Sequence, residues 1–276
     1  MKSYKHLEEH ARTMRKNIVK MVTSANSGHP GGSLSGVEIL TSLYFEEMNF
    51  SKDNYEDPSR DRFVLSKGHA SPLLYSALVE KGLIDEAELS TFRKINSRLQ
   101  GHPNMNYVKG VEMSTGSLGQ GLSAAVGMAL SAKVHDQGYR VYSLLGDGEI
   151  QEGQIWEAAM SAAQFKLDNL VAIVDNNNLQ IDGELTEVMS PYPIGEKFSA
   201  FGWEVLEVDG HNYDELLEAY AKARETKGKP TCIVAKTVKG KGVSYMENQC
   251  GWHGNAPSPE QCELAIKELE GDGERE

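Results

Sequence analysis

The sequence predicts an α/β fold: a doubly wound, mostly parallel sheet with helices on both faces. Two observations carry this. Five short apolar runs, at 62–66, 139–145, 169–175, 202–209 and 230–238, are separated by stretches whose apolar residues recur at helical spacing. Strands that alternate with helices pair in parallel and need cover on both faces. No internal repeat, low-complexity segment or linker interrupts the 276 residues. One domain over 1–270 is therefore expected, followed by an acidic tail at 271–276.

The elements follow in order. A helix is predicted over 4–24, where Leu7, Ala11, Met14, Ile18, Met21 and Val22 share a face. The stretch 24–36, with four glycines, four serines and a proline, is expected to stop it. A helix follows at 37–48, then the strand 62–66. The helix at 70–82 ends on Gly82, and another at 85–95 is capped by Asp85. Residues 96–121, rich in Gly, Asn, Pro and Ser, read as a long loop. Loops beyond about 15 residues inside a compact domain are usually functional or disordered. A small-residue helix at 122–136 leads into the strand 139–145. The helix 151–165, the strands 169–175 and 202–209, the helix 213–226 and the strand 230–238 come next. A loop at 239–258 and a helix at 259–269 finish the order.

Composition excludes several classes. Lys and Arg number 28 against 40 Asp and Glu, a net charge of −12, so the basic stripe of a nucleic-acid binder is missing. An anionic ligand stays open, because backbone N–H groups and a metal override net charge locally. The three cysteines form no CxxC pair, which fits a reducing compartment. No window of 18 apolar residues exists, so no membrane span is expected. The N-terminus is charged throughout, unlike a signal peptide. A cytoplasmic protein is expected.

The strongest local signal is Gly146-Asp147-Gly148, 27 residues, then Asn176-Asn177. Ligands of open α/β sheets sit beyond the carboxyl ends of the strands. Asp147 follows one strand and the asparagines follow the next, so a right-handed crossover brings both to the same sheet edge. A carboxylate and an amide oxygen suit a hard cation such as Mg²⁺ or Ca²⁺. The glycines allow a phosphate to approach the backbone. Gly-Asp-Gly alone is a common turn; the spacing and the two strand ends favour a cation and a phosphate.

Four histidines, His29, His69, His102 and His253, lie in Gly-rich loops, where core packing is a poor explanation. Their spacing matches no zinc site. An imidazole near its ordinary pKa of about 6.5 suits proton transfer. His6 and His10 are expected on a solvated helix face, His135 near a helix end, and His211 in the turn before residue 213.

Gly-Asp-Gly followed by Asn-Asn resembles the diphosphate motif of thiamine diphosphate enzymes. The resemblance implies that Asp147, Asn177 and the carbonyl of Leu179 hold Mg²⁺ (or Ca²⁺), with Asn178 as the alternative to Asn177. Further segments resemble the transketolase family in its own order: SGHPGGSLS (27–35), DRFVLSKGHASPLLY (61–75), GHPN (101–104), STGSLGQGLSAAVGMA (114–129), GDGEIQEGQIWEAA (146–159) and GWHGNAP (251–257). The match covers nearly the whole chain.

The family resemblance implies transfer of a two-carbon ketol unit from a ketose phosphate to an aldose phosphate. It implies cofactor contacts from His69, Gly116, Ser117, Leu118, Gly146, Asp147, Gly148, Glu149, Asn177 and His253. His29 and His253 would handle the hydroxyl proton at the cleaved bond. His102 would bond the hydroxyl of the two-carbon fragment, and His69 the diphosphate and that fragment. Glu152 and Glu157 would lie at the subunit contact. The chain resembles only the first, diphosphate-binding domain of a transketolase; the pyrimidine-binding domain with its catalytic glutamate has no match here. Its polar acidic end reads as a natural terminus. The expectation is the N-terminal subunit of a split enzyme, which a C-terminal subunit completes in an α2β2 heterotetramer. The alternatives are the α subunit of a thiamine-dependent 2-oxo-acid dehydrogenase or decarboxylase, and a non-catalytic partner that kept the fold.

Overall fold

The computed structural model describes residues 3–271. Five strands, β1 (Arg62–Leu65), β2 (Val141–Gly146), β3 (Leu170–Asn176), β4 (Glu204–Asp209) and β5 (Thr231–Lys236), form one parallel sheet in the order β1-β2-β3-β5-β4. The predicted fold class is the observed one. Side chains alternate across the pleat. Phe63, Leu65, Tyr142, Leu144, Val171, Ile173 and Ile233 enter one core, and Val64, Val141, Leu145, Ala172, Val174 and Cys232 enter the other.

The first core is roofed by α1 (Lys5–Ala25), α3 (Val37–Ser42), α4 (Ser71–Glu80) and α9 (Tyr213–Glu225); α10 (Pro259–Gly271) packs on α1. The second is roofed by α5 (Gln120–Val134), α6 (Gly153–Gln164) and α8 (Ile194–Ala200). In α1 the predicted apolar face is the buried one, and Asn26 at φ 46° closes it. In α5 the small residues let the helix lie close on β1: a Cβ on Gly121 would stand 2.5 Å from Ser66 Oγ. None of the described helices is long and apolar enough to cross a membrane.

Register decides where the strand ends fall. Gly146 pairs with Asp175, and Asn176 with Lys236. The residues that follow β2, β3 and β5 therefore emerge side by side.

Several local expectations are corrected. The segment 24–36 does not merely stop a helix: Pro30–Ser35 forms α2, with every residue buried. Its glycines serve close packing, since a Cβ on Gly31 would meet the Trp252 carbonyl at 2.9 Å. The helix expected at 37–48 is α-helical only to Ser42 and continues as a π turn through Glu47. Asp85 does cap its segment, with a full capping box to Glu88, but the segment is a 3-10 turn over Glu86–Thr91, after which the chain extends at Phe92. The stretch between β3 and β4 carries α7 (Leu185–Val188) and α8, where no element is expected from the sequence. His10 is half-buried rather than solvated, stacked on Phe45 at 3.8 Å and bonded to Glu80 at 2.8 Å. The acidic tail expected at 271–276 lies outside the described residues, except Gly271, which ends α10.

Candidate functional site

A cavity of about 320 Å³ opens beyond the carboxyl ends of β1, β2, β3 and β5. A wider groove, about 880 Å³, runs past β4 and β5 but gathers none of the loop histidines or Asp147. The smaller cavity holds the chemistry.

Asp147 is buried at its floor. Its Oδ2 accepts the backbone N–H groups of Asn177 at 2.7 Å and Asn178 at 2.6 Å, and Oδ1 accepts that of Gly148 at 2.9 Å. Burial, then the charge of Asp175, push its pKa up to about 7 against those bonds. The three asparagines separate in role. The Tyr192 hydroxyl bonds the side-chain oxygens of Asn176 at 2.8 Å and Asn178 at 3.2 Å. Asn177 lines the cavity, its Oδ1 held by the Leu179 N–H at 3.1 Å. The carbonyl of Leu179 accepts from Lys239 Nζ at 2.8 Å.

Beneath these groups lies a buried ion pair. Lys67 Nζ bonds the Asp175 carboxylate and the Gly32 carbonyl, the latter at 2.7 Å. Asp175 also accepts from Ser35 Oγ at 2.5 Å and from Thr237 Oγ1. Burial alone would raise the Asp175 pKa, but Lys67 and the hydroxyls hold it below the usual carboxylate value.

Three of the four loop histidines meet. The ring centroids of His29, His69 and His253 lie 5.2–5.4 Å from one another. Burial is the main cause that lowers all three pKa values, helped by the neighbouring Lys239. His29 falls to about 4 and His253 to about 3. The expectation of near-ordinary imidazoles is corrected accordingly: these rings are neutral at pH 7. Lys239 Nζ donates to His253 Nδ1 at 3.0 Å. His102 does not join them. It stands behind Gly116, where a Cβ would meet its ring at 2.9 Å.

The long loop closes one wall. Gly116 has φ +140° and Gly119 φ +86°, both costly for a side chain. Gly116 and Leu118 line the cavity; Ser117 does not. Glu149 also borders it, yet its buried carboxylate is engaged by Ser66 Oγ at 2.5 Å and the N–H groups of Gly119 and Gly146, each at 3.0 Å. It ties the loop to the Gly146–Gly148 turn. Glu152 sits at the rim, and Glu157 is exposed on α6.

The residues present fit an anionic cofactor and a hard cation. His29 Nδ1 and Gln180 Nε2, both on cavity residues, are buried without a partner. Asp147, Asn177 and Leu179 line this one cavity, and a carboxylate, an amide oxygen and a carbonyl are hard donors. Among the described residues no group of three His, Cys, Asp or Glu could hold a metal, so a cation there depends on amide, carbonyl and ligand oxygens. Lys67, Asp175, Lys239 and Gln180 were missed by sequence reasoning. The rule that placed Asp147 beyond β2 applies equally to Lys67 beyond β1 and Lys239 beyond β5.

The family model of the transketolase thiamine diphosphate binding domain matches residues 7–272. One subunit of the apulose-4-phosphate transketolase of Phocaeicola vulgatus is 45% identical over 263 residues, covering 95% of this chain and 93% of that one. The 6-deoxy-6-sulfo-D-fructose transketolase subunit SqwG of a Clostridium species is 43% identical, covering 97% of each. Human transketolase is 45% identical over 95% of this chain, but only 42% of its own length is covered. The crystal structure of Campylobacter jejuni transketolase superposes with TM-score 0.91 at 36% identity, over 98% of this chain and 43% of that one. The chain thus spans under half of the one-chain transketolases it matches and nearly all of the relatives that are themselves single subunits.

Proposed function

The chain belongs to the transketolase family, as its thiamine diphosphate-binding domain, and from that premise we propose that it is the N-terminal subunit of a split transketolase. It moves a two-carbon ketol unit from a ketose phosphate to an aldose phosphate, with pentose phosphates such as xylulose 5-phosphate as the default substrates. A separate C-terminal subunit supplies the pyrimidine-binding domain and the catalytic glutamate in an α2β2 assembly. The relatives of matching length, each named as one subunit of a transketolase, support the split. Three free cysteines support a cytoplasmic setting.

The observation that carries the reading is the single cavity shared by Asp147, Asn177 and Leu179 with His29, His69 and His253. In this reading Mg²⁺ (or Ca²⁺) takes Asp147, Asn177 Oδ1 and the Leu179 carbonyl. Lys67 and Lys239 add positive charge beside the diphosphate, and Gly116, Leu118, Gly146 and Gly148 let its body approach the backbone. Bound thiamine diphosphate supplies the electron sink for carbon–carbon cleavage. The chain's own work is proton handling and position. His29 and His253, neutral at pH 7, accept the ketose hydroxyl proton as the bond breaks and return it when the acceptor is joined. The negative charge of a bound diphosphate would raise their depressed pKa values. His69 faces diphosphate and fragment, Glu149 orients the glycine loop, and Glu152 and Glu157 face the partner. The hydroxyl contact that the family resemblance gives His102 would require it to approach the cavity past Gly116, whose backbone it packs against.

Ketol transfer from xylulose 5-phosphate to ribose 5-phosphate, with Mg²⁺ and thiamine diphosphate, tests this. Activity is expected from the chain mixed with its C-terminal partner and not from the chain alone. Turnover by the chain alone would overturn the split-site account.

A further inference from the structure

Away from the cavity, a buried ion pair and a half-buried histidine join three distant parts of the chain. Arg15 of α1 bonds both oxygens of Glu38 of α3, at 2.6 and 2.8 Å. His211, from the β4–α9 turn, bonds Glu38 Oε2 through Nδ1 at 2.8 Å. Burial opposes ionisation of Glu38, but Arg15 and His211 hold its pKa at about 2. Buried charges of this kind are weak evidence for stability, so a role beyond cohesion has to be sought.

The remaining bonds of the triad converge on one segment. His211 Nε2 accepts the N–H of Val238 at 2.9 Å, and Arg15 Nε donates to the Lys241 carbonyl at 3.0 Å. Between these two anchors stands Lys239. The segment leaves little slack: Gly240 and Gly242 have φ +80° and +92°, and a Cβ on Gly242 would meet Arg15 at 2.9 Å. Gly240 N–H also bonds the Gly31 carbonyl at 3.0 Å, two residues beyond His29. For His211 to accept from Val238, its proton must be on Nδ1, facing Glu38. The carboxylate therefore fixes the tautomer, as outer-shell carboxylates do for histidines that serve a site.

We propose that Arg15, Glu38 and His211 are positioning residues that clamp the 237–242 segment and thereby aim Lys239 into the cofactor cavity. The inference deepens the proposed function and rests on it. His211 touches neither cofactor nor substrate; it acts through Val238 and Lys239.

The test uses His211→Leu, His211→Gln, Lys239→Met and the His211→Leu/Lys239→Met double variant of the full chain. Thiamine diphosphate affinity in Mg²⁺ is read by calorimetry on the chain with its C-terminal partner, and backbone amide exchange is read without cofactor. His211→Leu is expected to weaken binding roughly 10- to 100-fold and to expose the amides of 238–242 selectively. His211→Gln, whose carbonyl can accept from Val238, should restore most of both. The double variant should bind no worse than Lys239→Met alone, since both act through one ammonium. Equal binding and exchange in wild type and His211→Leu, no rescue by Gln, or additive losses in the double variant would each overturn the proposal. A wild-type complex with the C-terminal partner that fails to bind thiamine diphosphate defeats the cofactor reading instead; selective exposure of 238–242 in His211→Leu with protection regained in Gln would then still support the clamp.

Discussion

Asp147 Oδ2 lies 2.7 Å from the backbone nitrogen of Asn177, so the carboxylate that follows β2 is fixed by the turn that follows β3. The register that sets Gly146 beside Asp175 brings the two strand ends together. Two strand ends are thus joined through one side chain.

Replacing that carboxylate should remove the proposed metal site. Asp147→Ala is expected to lower Mg²⁺-dependent thiamine diphosphate affinity on the order of 100-fold or more. Calorimetry with and without Mg²⁺ checks it. Unchanged affinity in the variant would sink the assignment of Asp147.

Lys67 and Asp175 pose a stability question. Both are fully buried, and among the described residues each is the other's only opposite charge in contact. Lys67→Met leaves the Asp175 carboxylate uncompensated, which costs about 3–5 kcal/mol. Urea unfolding of Lys67→Met and of Lys67→Met/Asp175→Asn is the measurement. The double variant should regain a large part of the loss; if it does not, the pair is not the source of the effect.

Much of this was legible in the sequence, and the reason is periodicity. The five strands and α1 follow from apolar spacing, because burial on a pleat or a helix face imposes it directly. The Pro30–Ser35 helix was not legible. Gly31 looks like punctuation, but Trp252 and Lys239, more than 200 residues away, press on its backbone. Lys67 and Lys239 escaped for a related reason. A lone lysine in a polar loop reads as solvated until the strand order brings it beside Asp175 or Leu179. His10 misled in the same manner, since Phe45 and Glu80, which cover it, come from other elements. The four loop histidines stood out as a group, but only the fold shows that three share a cavity and that His102 stands behind Gly116.

His29 should matter for turnover rather than for cofactor retention. It makes no bond to Asp147, Asn177 or Leu179, while its buried Nδ1 lacks a partner. With the C-terminal partner present, His29→Ala is expected to lower kcat on the order of 10²–10⁴-fold, with cofactor affinity nearly unchanged. Steady-state kinetics at saturating thiamine diphosphate decide it. A loss that extra cofactor repairs would reassign His29 to binding.

Glu38 gives the fold a defined acid sensitivity. Its folded pKa of about 2 lies below the ordinary 4.5. A depressed carboxyl contributes stability above the unfolded value and loses it as pH falls from 4.5 toward 2. The contribution is on the order of 3 kcal/mol at neutral pH. His29 and His253 act in a higher window. Their folded values of about 4 and about 3 lie below 6.5, so stability also declines as acid protonates the unfolded chain below pH 6.5. Glu38→Gln separates the two. Thermal midpoints of wild type and variant should differ by a constant amount above pH 5, fall together as the histidines titrate, and converge only below pH 4.5. A gap at pH 3 as wide as at pH 7 would mean that Glu38 is not the group whose charge the triad stabilises.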